Sequence, residues 1–286
     1  MKLKNLVTVV TGGSQGLGNA IARAFVGEGA HVALCARDQK LINAAAADLK
    51  GLATAGQQVF ASACDVSVED DVEKFFDEVR CRLGSVNVLV NNAGVYGPKG
   101  QSENLDFHQW TRAIEINLYG TFLPCRCAIR QMKQKSRGKI INLSGGGATS
   151  PMPRISAYAA SKAAVVRLTE TLAEELREFS IDVNAVAPGA LNTRLLDEIL
   201  EAGPEAVGNT FFEKALKQRD SGGVPLERAA RLCAYLASSE SDGITGKLIS
   251  AQWDPWENLH KFREQLASDV YTLRRVVPED RGLEFM

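Results

Sequence analysis

Short runs of β-branched and apolar residues alternate along the chain with longer helix-patterned segments. No other feature restricts the fold as much. Leu6–Thr11, His31–Ala36, Gln57–Ala63, Val86–Val90, Lys139–Leu143, Ile181–Val186 and Lys247–Ala251 read as strands. Between them, Gly16–Gly29, an alanine-rich stretch ending at Ala55, Val68–Leu83, Asp106–Met132, Ile155–Phe179 and Ala229–Leu236 carry apolar residues at helical spacing, while Leu191–Gly223 reads as irregular or short-helical. Val86–Val90 is nearly all apolar, as expected of a strand covered by helices on both faces. Such alternation implies βαβ units with right-handed crossovers, and therefore an α/β fold built on one parallel sheet of about seven strands. No linker rich in Pro, Gly or Ser divides the chain, so residues 1–251 are expected to form one domain and residues 252–286 a C-terminal extension.

Composition narrows the partners. The 286 residues carry 33 Lys and Arg against 34 Asp and Glu, a net charge of −1 that argues against nucleic acid, which needs a basic surface. Met1–Val10 has two lysines and a short apolar run but no small-residue cleavage site, and no stretch is as long as a membrane span, which reads as a cytoplasmic protein without a membrane partner. The six cysteines (Cys35, Cys64, Cys81, Cys125, Cys127 and Cys233) form no CxxC pair, and His31, His108 and His260 lie far apart, so free thiols and no metal are expected.

The turn Thr11-Gly12-Gly13-Ser14-Gln15-Gly16-Leu17-Gly18 follows the first strand and opens the first helix. Glycines there let the backbone approach a pyrophosphate, whose charge then sits at a helix N-terminus. This makes the sheet a Rossmann-type, doubly wound dinucleotide binder. At the end of the second strand, an acid would accept the ribose hydroxyls and repel a 2′-phosphate. Here Ala36 is neutral and Arg37 offers a fork for a phosphate, while Asp38 reads as the N-cap of the next helix. NADP(H) is therefore expected, with NAD(H) as the alternative.

Tyr158-Ala159-Ala160-Ser161-Lys162 lies in a helix-patterned segment, so Tyr158 and Lys162 project from one face. A nearby ammonium favours the phenolate, which would make the tyrosine a usable general acid or base. Together with the glycine turn, Asn91-Asn92-Ala93-Gly94, Asn117 and Pro188-Gly189, in this order, the chain resembles the short-chain dehydrogenase/reductase family over residues 4–251. The resemblance implies that hydride passes between the nicotinamide and a carbonyl or secondary alcohol while Tyr158 exchanges the proton. It further implies that Lys162 binds the nicotinamide ribose and lowers the tyrosine pKa, and that Asn117 holds a water of a proton relay. Asp65 and Val66 would meet the adenine; Asn91, Ala93 and Gly94 the middle of the cofactor; Pro188, Gly189, Leu191 and Thr193 its nicotinamide end.

Two departures stand out. The family's substrate-binding serine lies thirteen residues before the tyrosine, where this chain has Gly145. Ser144 could serve after a local shift, Thr149, Ser150 or water could substitute, or the hydrogen bond could be missing. The last case leaves open a weakened cofactor-binding protein, or an epimerase or dehydratase that reduces its cofactor only transiently. At the other end, Asp254-Pro255-Trp256-Glu257 reads as a helix start, with Asp254 as N-cap and Trp256, Leu259, Phe262 and Leu266 forming an apolar stripe. That helix would pack on its own domain or on a neighbouring subunit, or help to close the substrate pocket. The family's usual tetramer is thereby put in question, a homo-dimer or homo-tetramer remaining the expectation. Small and polar residues in Val95–Leu105 and Thr149–Ile155 would suit a hydroxylated substrate such as a sugar derivative.

Overall fold

The structure is a computed structural model that describes residues 1–283. Among these residues, seven strands form one parallel sheet: β1 (Val7–Thr11), β2 (His31–Ala36), β3 (Val59–Ala63), β4 (Val88–Asn91), β5 (Gly138–Leu143), β6 (Ile181–Ala187) and β7 (Leu248–Ser250). They lie in the order β3-β2-β1-β4-β5-β6-β7. The direction of winding reverses between β1 and β4, and in open α/β sheets the crevice beyond the strand ends at such a switch point is where ligands bind. Register fixes what reaches it: Thr11 pairs with Cys35, and Asn91 with Asn142.

Helices cover both faces. On one lie α1 (Gly16–Gly27), α2 (Gln39–Leu52) and α9 (Leu226–Ala237), burying Ile21, Phe25, Ile42 and Leu232 against Val10 and Leu34. On the other, α3 (Glu69–Leu83), α5 (Gly120–Lys135) and α6 (Ser156–Glu175) bury Phe75, Val79, Met132 and Leu172 against Leu89, Ile140 and Val183. At the far end of the sheet from the crevice, buried Lys139 bridges Asp182 at 2.6 Å and Asp242 at 2.8 Å, tying β5 to β6 and to the loop after α9.

Three segments differ from the sequence reading. The single helix expected over Asp106–Met132 is α4 (Phe107–Ile114), a π-helical turn at Glu115–Tyr119, and then α5. The wide turn carries Asn117, and such insertions recur at functional sites. Leu191–Gly223 is short-helical rather than irregular, forming α7 (Arg194–Val207), kinked at Gly203, and α8 (Asn209–Ser221), which bury Leu196, Ile199, Val207 and Ala215 between them. The extension does not begin with the expected capped α-helix. Asp254 instead accepts a hydrogen bond from the Ser250 amide at 2.6 Å, Trp256–Phe262 is a 3₁₀ turn, and only Arg263–Leu266 is α-helical. With a tighter winding, the stripe splits. Trp256, Leu259 and Leu266 join the core of their own domain, whereas Phe262 is exposed.

Candidate active site

A cleft of about 2050 Å³ runs across the strand ends. Gly12, Ser14, Gln15, Gly16 and Leu17 line its floor, Arg37, Asp65 and Val66 one end, Ala93 and Gly94 the middle, and Ser144, Tyr158, Lys162, Pro188, Gly189, Leu191 and Thr193 the other end. Three expected residues lie off this surface. Gly18 sits behind the turn, where a Cβ would strike the Gly12 carbonyl and the Asn92 amide. Gly12 itself holds φ +64°, a conformation that favours glycine. The glycines are therefore required where the turn packs against itself and against Asn92 and Ala93, and the length of the cleft suits a dinucleotide.

Asn91 is the second displaced residue. As the last residue of β4 it points into the protein, where its Nδ2 donates to Asn142 Oδ1 at 2.8 Å and to Cys125 Sγ at 3.1 Å. Its neighbour Asn92 faces the cleft, bracing the glycine turn by donating to the carbonyls of Thr11 (3.0 Å) and Gly12 (3.2 Å). Alternation along the strand explains the exchange, and the adjacent pair of asparagines was the signal in the sequence. Asn117 is the third. Its Nδ2 donates to Val95 O and Ser161 Oγ, both at 2.9 Å, and its Oδ1 accepts from Val95 N. The amide thus pins the loop after β4 to α6. A Cβ placed on Gly94 would lie 3.2 Å from Asn117 Oδ1 and 3.5 Å from Lys162 Nζ, so these three residues still meet.

At the Arg37 end of the cleft, Asp65 is braced by Arg112 (2.5 Å) and by the hydroxyl of Ser67 (2.6 Å). Burial opposes its ionisation, but the Ser67 hydrogen bonds and the Arg112 guanidinium outweigh it and hold the carboxyl below its usual value. Arg112 carried no motif and was not anticipated from the sequence. Asp38 caps α2 through hydrogen bonds from the amides of Lys40 and Leu41. Arg37 is exposed and makes no hydrogen bond or ion pair with another described residue.

The reacting end holds the most unusual chemistry. Tyr158 and Lys162 lie one turn apart on α6, and both are buried. Burial, reinforced by the neighbouring Tyr96, pushes the Tyr158 phenol well above its ordinary range; the two rings meet edge to face at 4.7 Å. Burial alone brings the Lys162 ammonium down to about 8. Its Nζ donates to the Leu143 carbonyl at 2.7 Å and stands 5.8 Å from the Tyr158 ring centroid. In the protein alone, desolvation thus outweighs the expected lowering of the phenol by the ammonium.

Gly145 is filled rather than vacant. A Cβ at this position would collide with the Tyr158 hydroxyl, so the tyrosine occupies the space that a serine there would need. Next to it Ser144, only 4% exposed, lines the cleft, and its buried hydroxyl finds no hydrogen-bond partner among the described residues. Thr149 and Ser150 line the same cleft in the exposed or half-buried loop beyond.

Comparison with known proteins agrees with this geometry. The family model for short chain dehydrogenases matches residues 6–203. The chain is 39% identical over 248 residues to 3beta-hydroxysteroid dehydrogenase 1 of Eggerthella lenta, covering 86% of this chain and 92% of that protein. Levodione reductase superposes with a TM-score of 0.80 at 26% identity, covering 93% of this chain and 99% of its own. NAD+-bound xylitol dehydrogenase gives 0.78 at 28% identity, covering 87% and 98%. The chain therefore belongs to the short-chain dehydrogenase/reductase family and is an oxidoreductase that transfers hydride with a nicotinamide dinucleotide.

Proposed function

We propose that this enzyme interconverts a carbonyl compound and its secondary alcohol, that Tyr158 is the general acid and base, and that NADP(H) is preferred over NAD(H). One observation carries the reading. Tyr158 and Ser144 line the same cleft as the glycine turn, the buried Ser144 hydroxyl has no hydrogen-bond partner among the described residues, and a buried ammonium lies one helical turn from Tyr158. The names of similar proteins, a hydroxysteroid and a xylitol dehydrogenase, describe secondary-alcohol chemistry.

The glycine turn, Asp65, Val66, Ala93, Gly94, Pro188, Gly189, Leu191 and Thr193 would hold the dinucleotide, which when bound would supply or take up the hydride at the substrate carbon. The protein's own groups manage the oxygen. In the direction of reduction, the carbonyl oxygen accepts hydrogen bonds from Tyr158 Oη and Ser144 Oγ. A phenol kept neutral by burial is the form that can donate, and its proton passes to the oxygen as negative charge develops there. Lys162 then stabilises the phenolate that remains. Asn117 positions the loop over which this happens, through Val95 and Ser161. Arg37, without a side-chain partner among the described residues and followed by an aspartate committed to capping α2, is suited to a 2′-phosphate.

The test is a fluorescence titration with NADPH and NADH, followed by a survey of ketones read at the nicotinamide absorbance. NADPH should bind more tightly, and Arg37→Ala should weaken NADPH by about 10-fold while leaving NADH nearly unchanged. Tighter binding of NADH by the parent enzyme defeats the cofactor assignment. Conversion of substrate without net consumption of either cofactor would favour an epimerase or dehydratase instead.

A further inference from the structure

We propose that the returning C-terminal segment, Ser268–Leu273, is a wall of the substrate pocket supplied in cis, and that Tyr271 is a specificity-determining residue selecting a ketone or alcohol with a bulky, apolar ring body. This deepens the reading of the cleft as a hydride-transfer site and rests on it. The path of the chain carries the inference. After β7 it runs out across α9, where Trp256 packs on Tyr235 with ring centroids 6.1 Å apart and donates from Nε1 to the Ala251 carbonyl. It then doubles back, and the Tyr271 carbonyl accepts a hydrogen bond from the Leu248 amide at 2.8 Å, on the outer edge of β7.

A latch holds this return in place. Buried Lys247 donates from Nζ to the carbonyls of Ser268 at 2.7 Å and Val270 at 3.0 Å. The Leu273 amide donates to Glu170 Oε1 at 2.6 Å, and Arg167 donates to the Leu273 carbonyl. The Leu273 side chain packs against Ala148, Val166 and Ala185, directly behind the loop that follows Ser144. Two anchors from α6 and one from the start of β7 are more than a loose tail requires.

Between those anchors, Tyr271 has φ +61°, a left-handed conformation that an aromatic residue rarely adopts. Backbone held in this way clusters at ligand clamps, where the surroundings over-determine it. The twist brings Tyr271 and Thr272 to the cleft, beside Trp253 and Asp254. Burial, with the Asp254 carboxylate adding, pushes the Tyr271 phenol up. That carboxylate is itself fixed by the Ser250 amide. Met152, Ile199 and Phe211 line the same cleft. An aromatic and aliphatic enclosure of this kind favours a ring-bearing apolar body over the polyhydroxylated substrate suggested by the neighbouring loops.

Binding to the enzyme loaded with NADP+, which cannot reduce a ketone, is measured by calorimetry, with 2-tetralone as the bulky probe and butane-2,3-dione as the small one. The variants are Tyr271→Gly and Lys247→Met. Glycine adopts the left-handed backbone freely, so Tyr271→Gly removes the ring without forcing a new path on the loop. Both variants should weaken 2-tetralone at least 10-fold, leave butane-2,3-dione within 2-fold, and leave the dissociation constant of NADP+ unchanged. Equal loss for both probes, no loss for either, or failure of the parent enzyme to bind 2-tetralone overturns the proposal. The readout is binding, so a wall confirmed in this way in an enzyme that turns over neither probe would count against the hydride-transfer reading alone.

Discussion

At the residue scale, the site turns on how burial sets two titrating groups and on a missing Cβ. Lys162 is held down to about 8, with the Leu143 carbonyl as its hydrogen-bond partner. In the unfolded chain its pKa returns to about 10.4, so folding releases a proton between those values. The penalty for burying the ammonium is fully present below pH 8 and is relieved as pH rises toward 10. Lys162→Met should therefore be more stable than the parent at pH 7 by on the order of 2–3 kcal/mol, with the gap closing toward pH 10. Denaturant midpoints that differ equally at every pH contradict this. Gly145 offers a second test at this scale. Because the Tyr158 hydroxyl fills the space of a Cβ there, Gly145→Ser should lower kcat by about 10-fold or more with the NADPH dissociation constant unchanged. A gain in turnover would mean that the position lacks a hydroxyl it needs. The sequence showed that a serine was absent. It could not show that the tyrosine had moved into the gap, because that approach joins the end of β5 to the middle of α6 through tertiary packing.

At the element scale, the strand–turn–helix unit was legible because local chemistry dictates it: a β-branched run, glycines where a Cβ has no room, and a helix that starts at the turn. Gly18→Ala tests that unit. Its Cβ would meet the Gly12 carbonyl and the Asn92 amide, so the turn must shift. NADPH affinity should fall by about 10-fold or more, the size of effect expected when one or two charge-assisted hydrogen bonds to phosphate are misplaced. Parent-like affinity in the same titration argues against close approach at this turn. Other elements were read less well for identifiable reasons. The π-helical turn at Glu115–Tyr119 keeps the helical pattern of its sequence and so reads as uninterrupted helix. The α7–α8 pair reads as irregular because Gly203-Pro204 and Gly208 interrupt its helical pattern, Gly203 and Gly208 holding φ +74° and +85°. Asp254 had the sequence of an N-cap, but the Ser250 amide competes for its carboxylate and wins.

At the scale of the whole molecule, the alternating pattern specified the parallel sheet, its winding and the place of its crevice. Residues that brace or line that crevice came from farther away. Arg112 reaches Asp65 from α4, and Tyr271 arrives from beyond the last strand. Neither has a local signature, since each is placed by the path of the chain over long sequence separations. What unites the scales is the chemical event proposed above, proton exchange at one buried phenol in the dinucleotide cleft. The most direct measurement is the turnover of Tyr158→Phe, with NADPH binding titrated on the same preparation. The account expects kcat to fall by about 10²- to 10⁴-fold, the usual contribution of a positioned acid or base, with NADPH bound as tightly as by the parent. Turnover close to that of the parent enzyme, with binding intact, would contradict it.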